Sequence, residues 1–132
     1  MWNISWIFFL WTLGLLRLIV RETADKWRGF RRNYMKLWID DVRPAPYGYV
    51  PLNSVDDSRE FIVWCECTEQ PIELIDIDHD AGEYAKYGGD YIKLLDWLEE
   101  TGRNYPIHIH SQNPVGIENM RRIIKRNGWR EV

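Results

Sequence analysis

From Met35 to the C-terminus, short apolar segments alternate with longer segments whose apolar residues recur at helical spacing. The clearest strand pattern is residues 72–77, whose almost continuous apolar run is typical of a strand buried on both faces of a parallel sheet. The segments between the strands have the length of crossover helices, an arrangement that builds βα units. We therefore predict one α/β domain over residues 35–132, with a short and mostly parallel sheet.

Turn and cap residues mark the ends of these segments. Asn113 and Pro114 form a strong helix start, with Asn as the N-cap and Pro at the first helical position. Asp90 is the predicted cap of the preceding helix, which Gly102 ends. Pro51 favours an edge position for the second strand, because proline lacks a backbone N–H. The predicted strands are 36–40, 49–52, 72–77, 106–110 and 129–132, and the predicted helices are 56–67, 91–101 and 114–126.

The N-terminal segment, residues 1–34, differs from the rest of the chain. Residues 6–20 are strongly apolar and broken only by Arg17, whereas a transmembrane helix needs about 20 apolar residues. Three interpretations remain open: a membrane anchor through residues 4–20, an apolar helix that packs on the domain or on a partner, and an extension upstream of a natural start. We favour the third, because Met35 leads directly into the first predicted strand.

Charge and cysteine content restrict the class of protein. The formal net charge is -3, so no general basic field draws the chain to nucleic acid, and any phosphate binding must come from a local site. Cys65 and Cys67 are two residues apart, a spacing that rarely allows a disulfide. We expect free thiols and a cytoplasmic location, with a tether to the cytoplasmic membrane if the N-terminal segment inserts, since basic residues follow it.

Polar residues are concentrated at the ends of three predicted strands. Because the carboxyl ends of parallel strands meet at one edge of the sheet, where ligands bind in such folds, these residues are expected to share one site. Two of the three segments hold all of the histidines, which makes the grouping informative. The segments are Asp40-Asp41, Asp78-His79-Asp80 and His108 to Asn113.

These residue types suit a metal ion and a phosphate group. Clustered carboxylates repel one another and imply a compensating cation, and oxygen ligands suit Mg²⁺ or Mn²⁺. The helix that starts at Asn113 offers unpaired N–H groups to a phosphate, and Gly116 in its first turn lets a ligand approach. Arg43 is a candidate for bidentate phosphate contact. His79 and His110 are candidate acid and base groups near neutral pH.

Each of these residues also has a structural interpretation. A single Asp at a strand end is most often a cap or turn residue, and Asn113 is useful as a cap whatever else it does. His108 is nearer the middle of its strand than His110 and is interpreted as a hydrogen-bonded strand residue. Asp76 shares a face with Asp78, so it either reaches the edge of the site or faces solvent.

Three motifs resemble the cyclic-phosphate-processing receiver-like family, a minimal relative of response-regulator receiver domains. They are Lys-Leu-Trp-Ile-Asp-Asp-Val-Arg-Pro-Ala-Pro at 36–46, Ile-Asp-His-Asp-Ala-Gly at 77–82 and His-Ser-Gln-Asn-Pro-Val-Gly-Ile-Glu-Asn-Met at 110–120. The resemblance implies a flavodoxin-like, receiver-like three-layer fold. It also implies a role in processing cyclic or terminal phosphates, with RNA ends as one substrate.

The resemblance assigns roles to individual positions. In ordinary receivers, acids after the first and third strands hold Mg²⁺, and those positions correspond to Asp40, Asp41 and Asp78. Ser111 matches the small hydroxyl residue after the fourth strand. The chain departs from ordinary receivers at the last strand, where Trp129 stands in a segment that has no lysine, and this argues against two-component phosphoacceptance.

The first hypothesis is therefore a metal-dependent phosphoesterase that acts on a nucleotide or RNA end, with RNA-repair proteins as expected partners. A second is a non-catalytic receiver-like module that binds a nucleotide or a partner protein, and a third is a membrane-tethered accessory domain with a vestigial site. In the first hypothesis Asp40, Asp41 and Asp78 bind Mg²⁺ or Mn²⁺, His79, Asp80 and His110 are catalytic, and Arg43, Ser111, Asn113 and Gly116 bind phosphate.

Overall fold

The computed structural model describes residues 34–132, so the predictions for the N-terminal segment, including the apolar helix and the membrane anchor, lie outside the described residues. The described elements are β1 (Met35–Ile39), β2 (Tyr49–Leu52), α1 (Val55–Cys67), β3 (Ile72–Ile77), a 3-10 helix (Gly82–Lys86), α2 (Ile92–Glu100), β4 (Ile107–Ile109) and α3 (Pro114–Asn127). The strands form one parallel sheet in the order β2-β1-β3-β4. This confirms the predicted receiver-like, flavodoxin-like α/β fold. Within residues 34–132, every helix is too short or too polar to cross a membrane.

The two faces of the sheet carry different residues. Successive residues of a strand point to opposite faces, and Leu37 and Ile39 of β1 are fully buried together with Ile77 of β3. Trp38 and Asp76 pair in register across β1 and β3, so they lie side by side on the opposite face. The apolar face forms the core, and α2 packs against both α1 and α3. The other face carries Trp38 and Asp76, each of which lies two residues before a strand-end acid.

The caps of the helices agree with the sequence at one position and differ at another. Asn113 is the N-cap of α3 as predicted, since its side-chain oxygen accepts a hydrogen bond from the Gly116 N–H at 3.0 Å. Such a cap contributes about 1 kcal/mol. The prediction for Asp90 was wrong, because Tyr91 is the N-cap of α2. The Asp90 carboxylate instead accepts from the Ala81 N–H at 3.0 Å and fixes the segment that follows β3.

The predicted last strand, 129–132, is reduced to one parallel bridge between Glu131 and Ile107. Gly128 ends α3 in the left-handed conformation with a φ of 66°. The Trp129 N–H still bonds to the Ile124 carbonyl at 3.0 Å, so Trp129 remains tied to the end of the helix. Only the residues after it are left to pair with β4.

A polar cluster ties α1 to the segment before β4. Glu66 accepts hydrogen bonds from Arg103 at 2.8 and 2.9 Å and from the Tyr105 hydroxyl. Burial alone would raise the pKa of Glu66, but the hydrogen bonds from Arg103 and Tyr105 outweigh it and lower the pKa below its usual value. The Arg103 guanidinium also lies 4.4 Å from the Trp97 ring centroid. These contacts connect the C-terminal end of α1 to α2 and to the segment that follows it.

We expect Glu66→Gln to lower the free energy of unfolding by up to about 1 kcal/mol, a small value because the carboxylate is partly exposed. The folded-state pKa of Glu66 is depressed below 4.5, so this contribution is present in full above about pH 4.5 and is lost as the pH falls through the folded-state pKa. Urea unfolding of both proteins across this range measures the difference. A difference that stays constant down to the acid transition would contradict the ionic origin of the contact.

Candidate functional site

The polar strand ends meet at one edge of the sheet. Asp40 directly follows β1, Asp78 follows β3 and His110 follows β4, and these three strands are adjacent and parallel. One carboxylate oxygen from each of Asp40, Asp41 and Asp78 lies within 4.8 Å of the others. The three acids predicted as metal ligands are therefore brought together, although their surroundings differ.

Asp40 is buried and surrounded by donors. Its Oδ1 accepts from the N–H groups of Val42 and Arg43, both at 2.8 Å. Its Oδ2 accepts from Arg43 Nη1 at 3.3 Å and from His110 Nε2 at 2.9 Å. Burial would raise the pKa of Asp40, but these hydrogen bonds lower it on balance, so the carboxylate is ionised. Because a carboxylate offers about four lone-pair sites, Asp40 has little capacity left for a direct metal bond.

Asp41 and Asp78 accept fewer hydrogen bonds than Asp40 does. Among the described residues, no other residue donates a hydrogen bond to the Asp41 carboxylate, and its pKa is raised by burial and by the charges of Asp40 and Asp78. Asp78 Oδ1 accepts from the His79 N–H at 2.7 Å, while Oδ2 lies 4.0 Å from Arg43 Nη1. Two partly unsatisfied carboxylates with a third behind them match the sparse oxygen set that Mg²⁺ uses together with water. The residues therefore fit the ion.

Gly82 packs against the cluster of three carboxylates, at Asp41. Its φ is 53°, and a Cβ atom there would overlap Asp41 Oδ2. Only a glycine lets the backbone of the 3-10 helix approach the carboxylate this closely.

His110 is held on three sides. Its Nδ1 lies 2.5 Å from Asp76 Oδ1, its Nε2 lies 2.9 Å from Asp40 Oδ2, and its ring stacks on Trp38 at 3.9 Å with an interplanar angle of 2°. Burial would lower the pKa of His110, but the two carboxylates outweigh it and raise the pKa. With both ring nitrogens donating to carboxylates, the imidazole has no free lone pair for accepting a proton. Asp76 therefore reaches the edge of the site, which was one of its two predicted positions.

Arg43 extends across the strand ends. Its Nη1 donates to Asp40 Oδ2 and to the His110 carbonyl oxygen at 2.9 Å. Its side chain is 38% exposed, and its Nε and Nη2 have no partner among residues 34–132. A guanidinium fixed through one nitrogen with its other N–H groups open is suited to an anion.

His79 has a different environment from His110. Its Nδ1 bonds to Asp80 Oδ1 at 2.9 Å, while its Nε2 has no partner in the described part of the chain. The hydrogen bond from His79 is the main reason that the pKa of Asp80 is lowered. The ring lies over Gly116, where a Cβ atom would overlap it. The space above Gly116, predicted to admit a ligand, is thus occupied by the His79 imidazole.

Ser111 and Asn113 build the segment before α3. The Ser111 hydroxyl oxygen accepts from the Asn113 N–H at 3.1 Å, and the Asn113 amide donates to Asp80 Oδ2 at 3.4 Å. Both side chains therefore have local structural partners, and the Ser111 hydroxyl keeps its own proton for donation. His108 is a hydrogen-bonded strand residue, as predicted, because its Nδ1 lies 2.7 Å from the Val132 carbonyl oxygen.

Trp38 and the Asp76–His110 contact were not predicted as parts of the site. The signal was present in the two-residue period of a strand, because Trp38 precedes Asp40 by two residues and Asp76 precedes Asp78 by two. Residues at that spacing point to the same face, so they lie directly below the strand-end carboxylates.

Comparison with known protein families gives one match. A family model described as cyclic-phosphate processing receiver domain matches residues 35–126. This range includes the four described strands, the three clustered acids and both site histidines. No significant match was found among curated proteins or among solved structures.

Proposed function

Because the chain belongs to the cyclic-phosphate processing receiver domain family, we propose that it hydrolyses a phosphate ester on a nucleotide or an RNA end that carries a cyclic or terminal phosphate. The observation that carries this proposal is the His79–Asp80 pair, in which a carboxylate holds one imidazole nitrogen and the other nitrogen has no hydrogen-bond partner among residues 34–132. This pair lies directly after Asp78, one of the three clustered acids. A proton-transfer group beside a metal-binding group of acids is an arrangement suited to phosphoester hydrolysis.

Asp41 and Asp78 would hold Mg²⁺ or Mn²⁺, with Asp40 behind them as a fixed negative charge. When bound, the ion supplies positive charge that offsets the charge of the phosphate oxygens. Asp40 contributes by orienting Arg43, whose backbone N–H and Nη1 both bond to it. One buried carboxylate thus orients the guanidinium that would bind the phosphate.

The phosphate group would bind between Arg43 and the start of α3. The exposed N–H groups of Arg43 suit two phosphate oxygens. The Ser111 hydroxyl can donate to a third oxygen, since its hydrogen bond with Asn113 uses only the oxygen lone pair. The positive end of the α3 dipole adds a favourable field.

His79 would move the proton. Asp80 holds the Nδ1 side of the ring, which leaves Nε2 to accept a proton from the attacking water. Opening of a 2′,3′-cyclic phosphate then forms one P–O bond and breaks another, and the same nitrogen returns the proton to the ribose oxygen that leaves. The acid–base role predicted for His110 passes to His79 in this proposal, because both nitrogens of His110 are engaged by carboxylates.

If Asp41 binds the metal, its substitution should have opposite effects on stability without metal and with metal. Asp41 is a carboxylate whose pKa is raised in the fold, so at neutral pH its charge costs stability when no ion is bound. We expect Asp41→Asn to raise the melting temperature without metal and to reduce the increase caused by millimolar Mg²⁺ or Mn²⁺. For the wild type that increase follows RT ln(1+[L]/Kd), about 2.7 kcal/mol at a metal concentration of 100 Kd.

Asp96→Asn is the matched control for this experiment, since Asp96 is a partly exposed α2 residue paired with Lys93. It should respond to metal like the wild type in differential scanning calorimetry. Equal metal responses of wild type and Asp41→Asn would remove Asp41 from the metal site.

A further inference from the structure

Trp38, the next-to-last residue of β1, contacts two site residues. Its indole N–H donates to the Arg43 carbonyl oxygen at 3.1 Å, and its ring stacks on His110 at 3.9 Å. Arg43 Nη1 in turn donates to the His110 carbonyl oxygen at 2.9 Å. Trp38, Arg43 and His110 therefore form a closed set of contacts that joins the loop after β1 to the end of β4.

Asp76 completes this set from β3. It is 6% exposed, lies in register beside Trp38, and bonds to the His110 nitrogen opposite the one that Asp40 occupies. A carboxylate inside a buried strand carries a desolvation cost, and buried ion pairs are often no more stabilising than apolar residues of the same size. A gain in stability therefore explains poorly why an aspartate occupies this buried position. Orientation of the His110 ring explains it specifically.

We propose that Trp38 and Asp76 are positioning residues, which hold the His110 ring in one orientation. The ring bonds to Asp40 Oδ2, the same oxygen that accepts from Arg43 Nη1, and so fixes the Arg43 guanidinium through Asp40. The inference deepens the proposed function and rests on it, because Arg43 is the group that would bind the phosphate. A long side chain that is already ordered loses less conformational entropy when a ligand binds. Fixing Arg43 before binding therefore increases the affinity of the site for an anion.

Two variants test this positioning at separate points. Trp38→Phe keeps an aromatic ring against His110 but removes the N–H that bonds to the Arg43 carbonyl. Asp76→Asn keeps the size of the side chain and removes its charge. Trp97→Phe is the matched control, because Trp97 lies on α2 and its ring contacts the guanidinium groups of Arg59 and Arg103 rather than the strand-end residues.

The first measurement uses the full chain without any ligand. Arginine side-chain NMR signals report whether a guanidinium is immobile, and the Arg43 signals are identified by their loss in Arg43→Lys. We expect slowly exchanging, resolved Arg43 signals in wild type and Trp97→Phe, and averaged signals in Trp38→Phe and Asp76→Asn. If either variant fails to fold, as judged by circular dichroism, the other carries the test.

The second measurement is the affinity for inorganic phosphate in the presence of Mg²⁺, by isothermal titration calorimetry. We expect about 3- to 10-fold weaker binding in Trp38→Phe and Asp76→Asn, and no change in Trp97→Phe. A purely structural role would lower the melting temperature of the variants without changing the Arg43 signals, and that result would overturn the inference. Altered Arg43 signals together with a wild type that binds no phosphate would support the positioning and reject the proposed function.

Discussion

Replacing His79 by glutamine is expected to lower the rate of phosphoester hydrolysis by about 10²–10⁴-fold, the usual contribution of a general acid–base group. Glutamine keeps a polar side chain of similar length over Gly116 but cannot accept and release a proton near neutral pH. Asp80 would lose its imidazole partner but keep its contact with Asn113, so the segment before α3 should stay folded.

The measurement is analysis of phosphate ends on a labelled oligoribonucleotide with a 2′,3′-cyclic phosphate, together with free 2′,3′-cyclic nucleotides. His108→Gln is the matched control, because the His108 ring bonds to the Val132 carbonyl rather than to a strand-end acid. Its rate should equal that of the wild type. Full activity in His79→Gln would exclude His79 from proton transfer.

An inactive wild type would have a different meaning. If no cyclic or terminal phosphate is turned over with Mg²⁺ or Mn²⁺, the chain would be better described as a receiver-like binding module. Arg43 and the clustered acids would serve such a module equally well, because they bind charge without chemistry. The His79–Asp80 pair is the feature that distinguishes the two functions, since a binding site has no need of an open imidazole nitrogen.

The sequence predicted the sheet and its polar edge because both depend on local patterns. The bounds of β3 follow from its apolar run, and the edge position of β2 follows from Pro51. Once the strands are parallel and adjacent, Asp40, Asp41 and Asp78 must lie close together. The cap at Asn113 is likewise a local signal.

The roles of the two histidines could not be predicted in this way. Which histidine has a free nitrogen depends on the register between β3 and β4, which pairs Asp76 with His108 and thereby places the Asp76 carboxylate within reach of His110. It also depends on how the loop after β1 folds back, so that Asp40 meets the other side of the His110 ring. Similarly, Asp90 has the sequence signature of a cap but bonds to Ala81, because a distant segment supplies a competing N–H donor.

Substitution of His110 by alanine is expected to destabilise the domain by about 3–5 kcal/mol, the usual cost of removing one partner from a buried ion pair. The change leaves Asp76 and Asp40, both buried, without the imidazolium between them. It also removes the ring that stacks on Trp38. His108→Ala, two residues earlier on β4, removes a partly exposed ring and one hydrogen bond to Val132 and should cost much less.

The pH dependence identifies the charge on His110 as the cause. The carboxylates raise the folded-state pKa of His110 above its usual 6.5, so its contribution to stability is present in full below about pH 6.5 and is lost as the pH rises through the folded-state pKa. The difference in free energy of unfolding between wild type and His110→Ala should therefore be largest in mildly acidic buffer and smaller in alkaline buffer. A difference that grows with pH would show that the ring acts as a neutral group.

A double substitution separates the charge from the lost packing. Asp76→Asn in the His110→Ala background replaces an unpaired buried carboxylate by a neutral amide, and it should recover part of the lost stability. In the wild-type background the same change removes a partner of His110 and should destabilise the domain. The coupling between the two sites is expected at about 0.5–3 kcal/mol, measured by urea unfolding of the four proteins at neutral pH. Additive effects would show that Asp76 and His110 do not act as a pair, because a charge that is compensated only by its neighbour must change its effect on stability when that neighbour is removed.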